Sequence, residues 1–307
     1  MSEAGPFTQR AFIDAPGDAD LETLMRFLIA ARPNGGPIYL HLGDLLWGMR
    51  MHTQMNPARD HRLWFDARGE LVGFVRFGAP SDAILQVRPD LRNRAGLEAD
   101  MLAWATAEAQ RRAAPDLAPP TTTAVTLSDE ATLRWLGGQG YRPNGHDYII
   151  LARDLRARIE PPALAGGAVV RAMADEADFV ARTELHRAVW APSRVTLEGY
   201  RLTRTAPGYD PELDLAIVLP DGRFAAYAIV WLDAGNAEGE FEPVGAHPDL
   251  RRLGYGRDVL LAGMQRLQAR GARRAIVYCT EANVPFYVSA GFGVVDRYIG
   301  LCAPAAP

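Results

Sequence analysis

The stretch that decides the fold is His247–Leu261, HPDLRRLGYGRDVLL. Arginines at 251, 252 and 257 and glycines at 254 and 256 crowd the entry to a segment patterned for a helix by Leu260, Leu261, Met264 and Leu267. Glycine lets the backbone turn through unusual φ and keeps side chains off the loop surface. The first amides of a helix lack intrahelical partners, and the helix dipole adds positive potential there, so they form an anion site. The arginines add charge where phosphates would lie. Pro248 and Asp249 fit a turn entering the loop. The stretch reads as a pyrophosphate cradle at a strand-to-helix junction. It is neither a Walker loop, since no GK[ST] follows, nor GxGxxG, since the third glycine is absent.

A related stretch, RPDLRNRAGLEADML, lies at Arg88–Leu102. The PDLR of Pro89–Arg92 returns at Pro248–Arg251, and both continue into a helical pattern, a β-branched run (Thr121–Leu127, then Ala275–Thr280), a short helix and a Gly-aromatic turn. Those turns, Gly140–Tyr141 and Gly291–Phe292, keep nearly the same offset, the difference falling in the Pro-rich loop Ala114–Pro120, where an indel is tolerated. The chain is therefore read as a tandem repeat punctuated near Arg158–Gly167, RIEPPALAGG. Each half predicts the order β-α-α-β-β-β-α-β-α-β, a mixed α/β layer with helices on both faces of one sheet. The hairpin turns are placed at Ala67–Gly69 and Pro220–Gly222. Expected domains are residues 8–157 and 167–307.

The 307 residues suit two domains, and 48% hydrophobic with 23% charged residues is an ordinary globular profile. A net charge of −4 does not favour nucleic acid as a partner. No apolar run reaches a bilayer-spanning length, and Met1–Thr8 lacks the layout of a signal peptide. Cys279 and Cys302 match no metal motif, and the scattered histidines form no ligand pair, so no metal is expected and the location read is a reducing cytoplasm.

Arg251–Gly256, RRLGYG, resembles the Q/R-x-x-G-x-G/A signature of the GNAT superfamily of N-acetyltransferases, and Phe286–Phe292, FYVSAGF, is similar to that family's LYxxxGF ending. The tandem arrangement resembles the two-domain, mycothiol-synthase-like members. The resemblance implies acetyl-CoA as co-substrate, with Arg251, Arg252, Leu253, Gly254, Tyr255, Gly256 and Arg257 at its pyrophosphate. It implies that Val244, Gly245 and Ala246, at a splayed strand end, grip pantetheine and polarise the thioester carbonyl. Tyr287 matches the family's acid for the leaving sulfur, and a phenol is protonated at neutral pH. The family's coenzyme-contacting asparagine falls on Thr280, with Asn283 a helical turn before Tyr287, and the role is open between them.

An ammonium is no nucleophile, so a base must take its proton. Glu240 and Glu242 stand two apart, on one face of a strand. Glu240 matches the base of GCN5-like members, Glu242 lies nearer the thioester, and the choice stays open. His186, Trp190, Tyr200, Trp231 and Asp233 come from segments that line the acceptor side in this family. The implied activity is transfer of an acetyl group to the amine of a small molecule, by a monomer or homodimer working without nucleic acid or membrane. The alternatives are a non-catalytic acyl-CoA-binding sensor and an acyltransferase for a protein amine or another acyl group.

Laid over its repeat, the first half keeps Arg92 for Arg251 but has Ala95 for Gly254, Leu97 for Gly256, Ser81 and Ala83 for the two glutamates, and Leu136 for Tyr287. Cradle, base and acid are missing together, so this half is expected to be degenerate. Its stretch Ile38–His52, with His41, Asp44 and Trp47, is expected to pack a helix or to reach the acceptor.

Overall fold

The computed structural model describes residues 7–14, 18–32, 40–51, 55–79, 82–92, 96–112 and 122–304. The first half runs β1 (Thr8–Ala11), α1 (Ala19–Ala30), α2 (Leu42–Met51), α3 (Pro57–Asp60), β2 (His61–Phe65), β3 (Leu71–Ala79), β4 (Asp82–Val87), α4 (Leu97–Arg112), β5 (Thr122–Thr126), α5 (Glu130–Gly138), β6 (Arg142–Pro143) and β7 (Tyr148–Asp154). The second runs β8 (Val169–Ala172), α6 (Glu176–Val189), α7 (Leu197–Arg204), β9 (Asp214–Val218), β10 (Phe224–Asp233), β11 (Glu238–Ala246), α8 (Tyr255–Ala269), β12 (Arg274–Cys279), α9 (Val284–Ser289) and β13 (Gly293–Cys302). The expected order is met throughout the second half. The first adds only the short α3 and β6. Both PDL segments form one 3₁₀ turn, at Pro89–Leu91 and Pro248–Leu250, so the repeat is structural as well as sequential.

The chain divides into two compact units that are not collinear with the sequence halves. One holds Met1–Leu40, Asn56–Ile149 and Asp296–Pro307, and the other holds His41–Met55 and Ile150–Val295. Relative to the expected ranges 8–157 and 167–307, α2 and most of β7 go with the second unit, and most of β13 goes with the first. In the first unit the strand order is β1-β2-β3-β4-β5-β13, antiparallel except where β4 meets β5. Trp64, Val72, Val75, Phe77, Val87, Leu97 and Met101 form its core under α4, and Trp64 Nε1 donates to Asp100 at 2.7 Å.

In the second unit the order is β7-β12-β11-β10-β9-β8. The β8–β9, β9–β10 and β10–β11 pairs are antiparallel, and β12 is parallel to β11. Successive residues of a strand face opposite sides. Val230 and Phe241 meet Gly263 of α8, whereas Trp231 and Glu240 meet Gly43 of α2, so α8 covers one face and α2 the other. Helices α6 and α7 join α2, α6 against β10 and α7 against α2. No helix among the described residues is long and apolar enough to cross a membrane, and no cluster of potential metal ligands occurs among them.

Candidate active site

The loop before α8 has the conformation its glycines anticipate, but for two separate reasons. Gly254 is the residue preceding α8, at φ +93° with open space around its α-carbon, so its requirement is conformational. Arg252 also adopts a positive φ, 63°. No side chain caps α8, leaving its first amides to an outside acceptor. Gly256 is needed for space: a β-carbon there would lie 3.0 Å from the Phe286 ring of α9. A larger residue at 256 therefore strikes Phe286. Arg251, Arg252, Leu253 and Gly254 are exposed, and Arg257 Nε donates to the Ser289 carbonyl at 2.9 Å. The side chain of Asp258 accepts from the Ala163 and Leu164 amides at 2.9 and 3.1 Å, tying the punctuating segment to α8.

Strand β11 leads into this loop. Its register with β12 is Glu238–Arg274, Gly239–Ala275 and Glu240–Ile276, and ends there. On its other side it stays paired to β10 as far as Ala246–Ala226. Three steps from Phe241 to Val244 oppose two from Val230 to Ala228, so Glu242 and Pro243 bulge. Beyond the bulge Val244, Gly245 and Ala246 diverge from β12, leaving their outer edge free of ladder bonds to that strand. Gly245 is forced by contact, because a β-carbon would lie 2.6 Å from the Tyr227 ring opposite.

The two glutamates have different surroundings. Glu240 is fully buried, and its Oε2 lies 2.8 Å from His41 Nδ1 and accepts the Asp44 amide at 3.1 Å, at the start of α2. Its Oε1 is buried with no hydrogen-bond partner among the described residues. Glu242 is half-buried, and the Trp231 indole donates to its backbone carbonyl at 2.6 Å. Tyr287 is buried against Phe286 and Phe292. Burial first, then the nearby Glu242 charge, pushes its hydroxyl well above the ordinary phenol range. Asn283 Nδ2 lies 3.4 Å from Thr280 Oγ1, so the two alternatives occupy one spot, both exposed. Cys279 is buried, which pushes its thiol up to about 11, in keeping with an inert side chain.

Around Tyr227 the structure assembles a polar-aromatic cluster. Trp190 Nε1 donates to the Tyr227 hydroxyl at 2.9 Å, which lies 2.8 Å from His186 Nδ1. The Trp47 ring of α2 sits 5.3 Å from His186. The Arg182 guanidinium stacks 3.4 Å over the Tyr227 ring and lies 3.7 Å from the fully buried Asp214, which accepts from Tyr200 and Tyr209. Asp233 turns elsewhere and closes the Asp233–Asn236 turn at 3.0 Å. His41, Gly43 and Trp47 of this site lie in the stretch expected to pack a helix or to reach the acceptor, whereas Arg182, Asp214, Tyr209 and Tyr227 gave no sequence signal.

In the first unit the corresponding positions are closed. Leu97 and Ala83 are fully buried, Leu136 is 2% exposed, and Arg92 turns to Asp129 at 3.5 Å. Ser81, Ala95 and the loop 114–120 lie outside the described residues.

Comparison with known proteins adds three findings. The model of the acetyltransferase (GNAT) family matches residues 182–292. The mycothiol acetyltransferase of Kineococcus radiotolerans is 32% identical over 138 residues, 43% of this chain and 44% of that one, so the match spans less than half of that relative. That of Actinosynnema mirum is 26% identical over 261 residues, 80% of this chain and 85% of that one. A solved structure, a tandem GNAT protein from the clavulanic acid biosynthesis pathway, superposes with TM-score 0.67 at 20% identity, covering 98% of this chain and 99% of that one. That likeness is one of fold.

Proposed function

We propose that this chain, whose residues 182–292 match the GNAT acetyltransferase family, is an acyltransferase of two tandem GNAT-like units whose second unit moves an acetyl group from acetyl-CoA to the amine of a small molecule. The observation that carries this reading is the parting of β11 from β12 after Glu240–Ile276, directly ahead of a glycine-turned, uncapped helix start. The residues fit the coenzyme: Arg251–Arg257 at the diphosphate, Val244–Ala246 along pantetheine, and Thr280 with Asn283 beside it. When bound, the coenzyme supplies the acetyl group as a thioester.

The remaining chemistry belongs to the chain. Glu240 Oε1 is the uncommitted carboxylate oxygen, and a buried acceptor without a donor is costly, so it is suited to hold an ammonium proton or a water that relays one. That proton leaves the acceptor first, which frees the nitrogen lone pair to attack the thioester carbonyl. Backbone N–H groups beyond the bulge face the charge that develops on the carbonyl oxygen. Tyr287 gives its proton to the departing sulfur, and its burial, with the Glu242 charge adding to it, keeps the phenol protonated until then. Trp47, His186, Trp190 and Tyr227 form the acceptor wall. The names of the relatives make the acceptor of mycothiol acetyltransferases the first amine to assay, within a wider amine panel.

The test is thiol release from acetyl-CoA across that panel, with Gly254→Val as control. A β-branched residue at φ +93° strains the turn by about 1–2 kcal/mol, so the acetyl-CoA KM should rise roughly tenfold while the fold persists. Parental KM in that variant would sink the cradle assignment.

A further inference from the structure

Glu240 does not stand alone, and its partner comes from far away in the chain. His41 is 1% exposed and enters the second unit with α2. Its Nδ1 lies 2.8 Å from Glu240 Oε2 and its Nε2 lies 3.5 Å from Glu238 Oε1, two carboxylates of one strand. A contact of 2.8 Å between a ring nitrogen and a carboxylate needs a proton between them, and with Glu240 ionised, as its proposed role as base requires, Nδ1 carries that proton and donates. The Gly43 amide, 3.3 Å from the same nitrogen, is the weaker neighbour. Gly43 has no β-carbon because one would lie 2.3 Å from Glu240 Oε2 and 2.4 Å from Trp231. The Asp44 amide closes on the same oxygen at 3.1 Å. Three features of one segment (His41, the bare Gly43 and the Asp44 amide) therefore converge on Oε2 and leave Oε1 uncommitted.

We propose that His41 is a positioning residue for the acetyl transfer: it pins Oε2 of Glu240 so that Oε1 is presented to the acceptor nitrogen. The proposal rests on Glu240 being the base. His41 touches neither acceptor nor coenzyme; it fixes the rotamer of the group that does. Arg274 of β12 lies 3.3 Å from Glu238 Oε2, so Glu238 has a cation of its own besides the His41 ring.

The test uses the full chain with acetyl-CoA and its best amine acceptor. E240Q comes first and should lose kcat roughly 100-fold or more, the usual reach of a general base, with acetyl-CoA KM kept. H41A should then lose kcat about 10- to 100-fold at unchanged acetyl-CoA KM. H41N, whose amide nitrogen stands where Nδ1 stood, should recover most of that loss, whereas H41Q, whose amide nitrogen stands where Nε2 stood, should not. Thermal midpoints screen for folding, and if H41A does not fold, the contrast between H41N and H41Q decides. Parental kcat in H41A, or equal impairment of H41N and H41Q, overturns the positioning role while leaving the base intact. Parental kcat in E240Q overturns the base, and the positioning role with it.

Discussion

At the scale of single residues, burial decides which groups can change charge. Tyr287 has its pKa raised by burial and by Glu242, so it remains a proton donor well past the pH at which a solvated phenol ionises. Two outcomes follow for its proposed role. Tyr287→Phe should lower kcat about 100-fold with little change in acetyl-CoA KM, and the parent rate should not decline between pH 8 and 10 through loss of the acid. Thiol-release kinetics over that range check both, and a fall centred near pH 10 that vanishes in the variant would contradict the assignment. In the first unit His61 shows the opposite case. It is 1% exposed, its Nδ1 lies 3.1 Å from the Pro57 carbonyl, and burial with the nearby Arg76 charge holds its pKa down at about 3 against the ordinary 6.5. The folded state thus stays neutral where the unfolded chain binds a proton. The stability so contributed is present above pH 6.5 and is lost as pH falls toward 3, by at most about 1.4 kcal/mol per pH unit. Urea midpoints of His61→Gln should be flatter than the parent's between pH 6.5 and 4. Parallel curves would show that another group carries the acid sensitivity.

At the scale of elements, α2 is seated on β10 and β11 by absence of side-chain bulk. Its glycine at 43 lets the helix start close over Trp231 and Glu240, and Gly199 of α7 packs beside the Arg50 and Met51 carbonyls at its other end. Gly43→Ala should cost about 1–3 kcal/mol, the usual penalty for overfilling a close-packed contact, and should lower kcat as Glu240 Oε2 is displaced. Urea unfolding and kinetics on one preparation check this, and an unchanged kcat would mean that α2 yields without moving the carboxylate. Much of this level could be read in advance. The order of elements, the hairpin turns at Gly69 and Gly222 and the glycine loop follow from local residue types, and the parting of β11 was implied by the family resemblance. The bulge at Glu242–Pro243 was half legible, since a proline in a strand signals broken pairing without giving the register. The separate reasons for Gly254 and Gly256 were not legible, because Phe286, thirty residues on, sets one of them. The His41–Glu240 contact was hidden for the same reason: a pattern records periodicity and not the partner that a helix meets.

At the scale of the whole molecule, the repeat predicts two self-contained halves, and the compact units differ from it because the repeated elements are similar enough to trade places. Each half supplies a β-branched last strand, YIILARD in β7 and GVVDRYIGLC in β13. Strand β7 lies beside β12 in the second unit, and β13 pairs with β5 over Tyr298–Thr126 to Cys302–Thr122 in the first. A period in the sequence is blind to such an exchange, since either strand satisfies either sheet. The consequence is testable. A fragment of residues 158–307 contains the whole family match and every residue proposed to hold coenzyme. It lacks α2 and β7, so it leaves the β12 edge unpaired and bares the buried Trp231, Glu240 and Glu238, while its own β13 has no β5 to pair with. Exposed edges and uncovered apolar faces favour aggregation over folding. The fragment should therefore fail to give a soluble species with a cooperative thermal transition, and co-expression with residues 1–157 should restore both. A cooperative, coenzyme-binding 158–307 fragment would show that α2 and β7 are dispensable covers and that the second unit is complete in its own half of the chain.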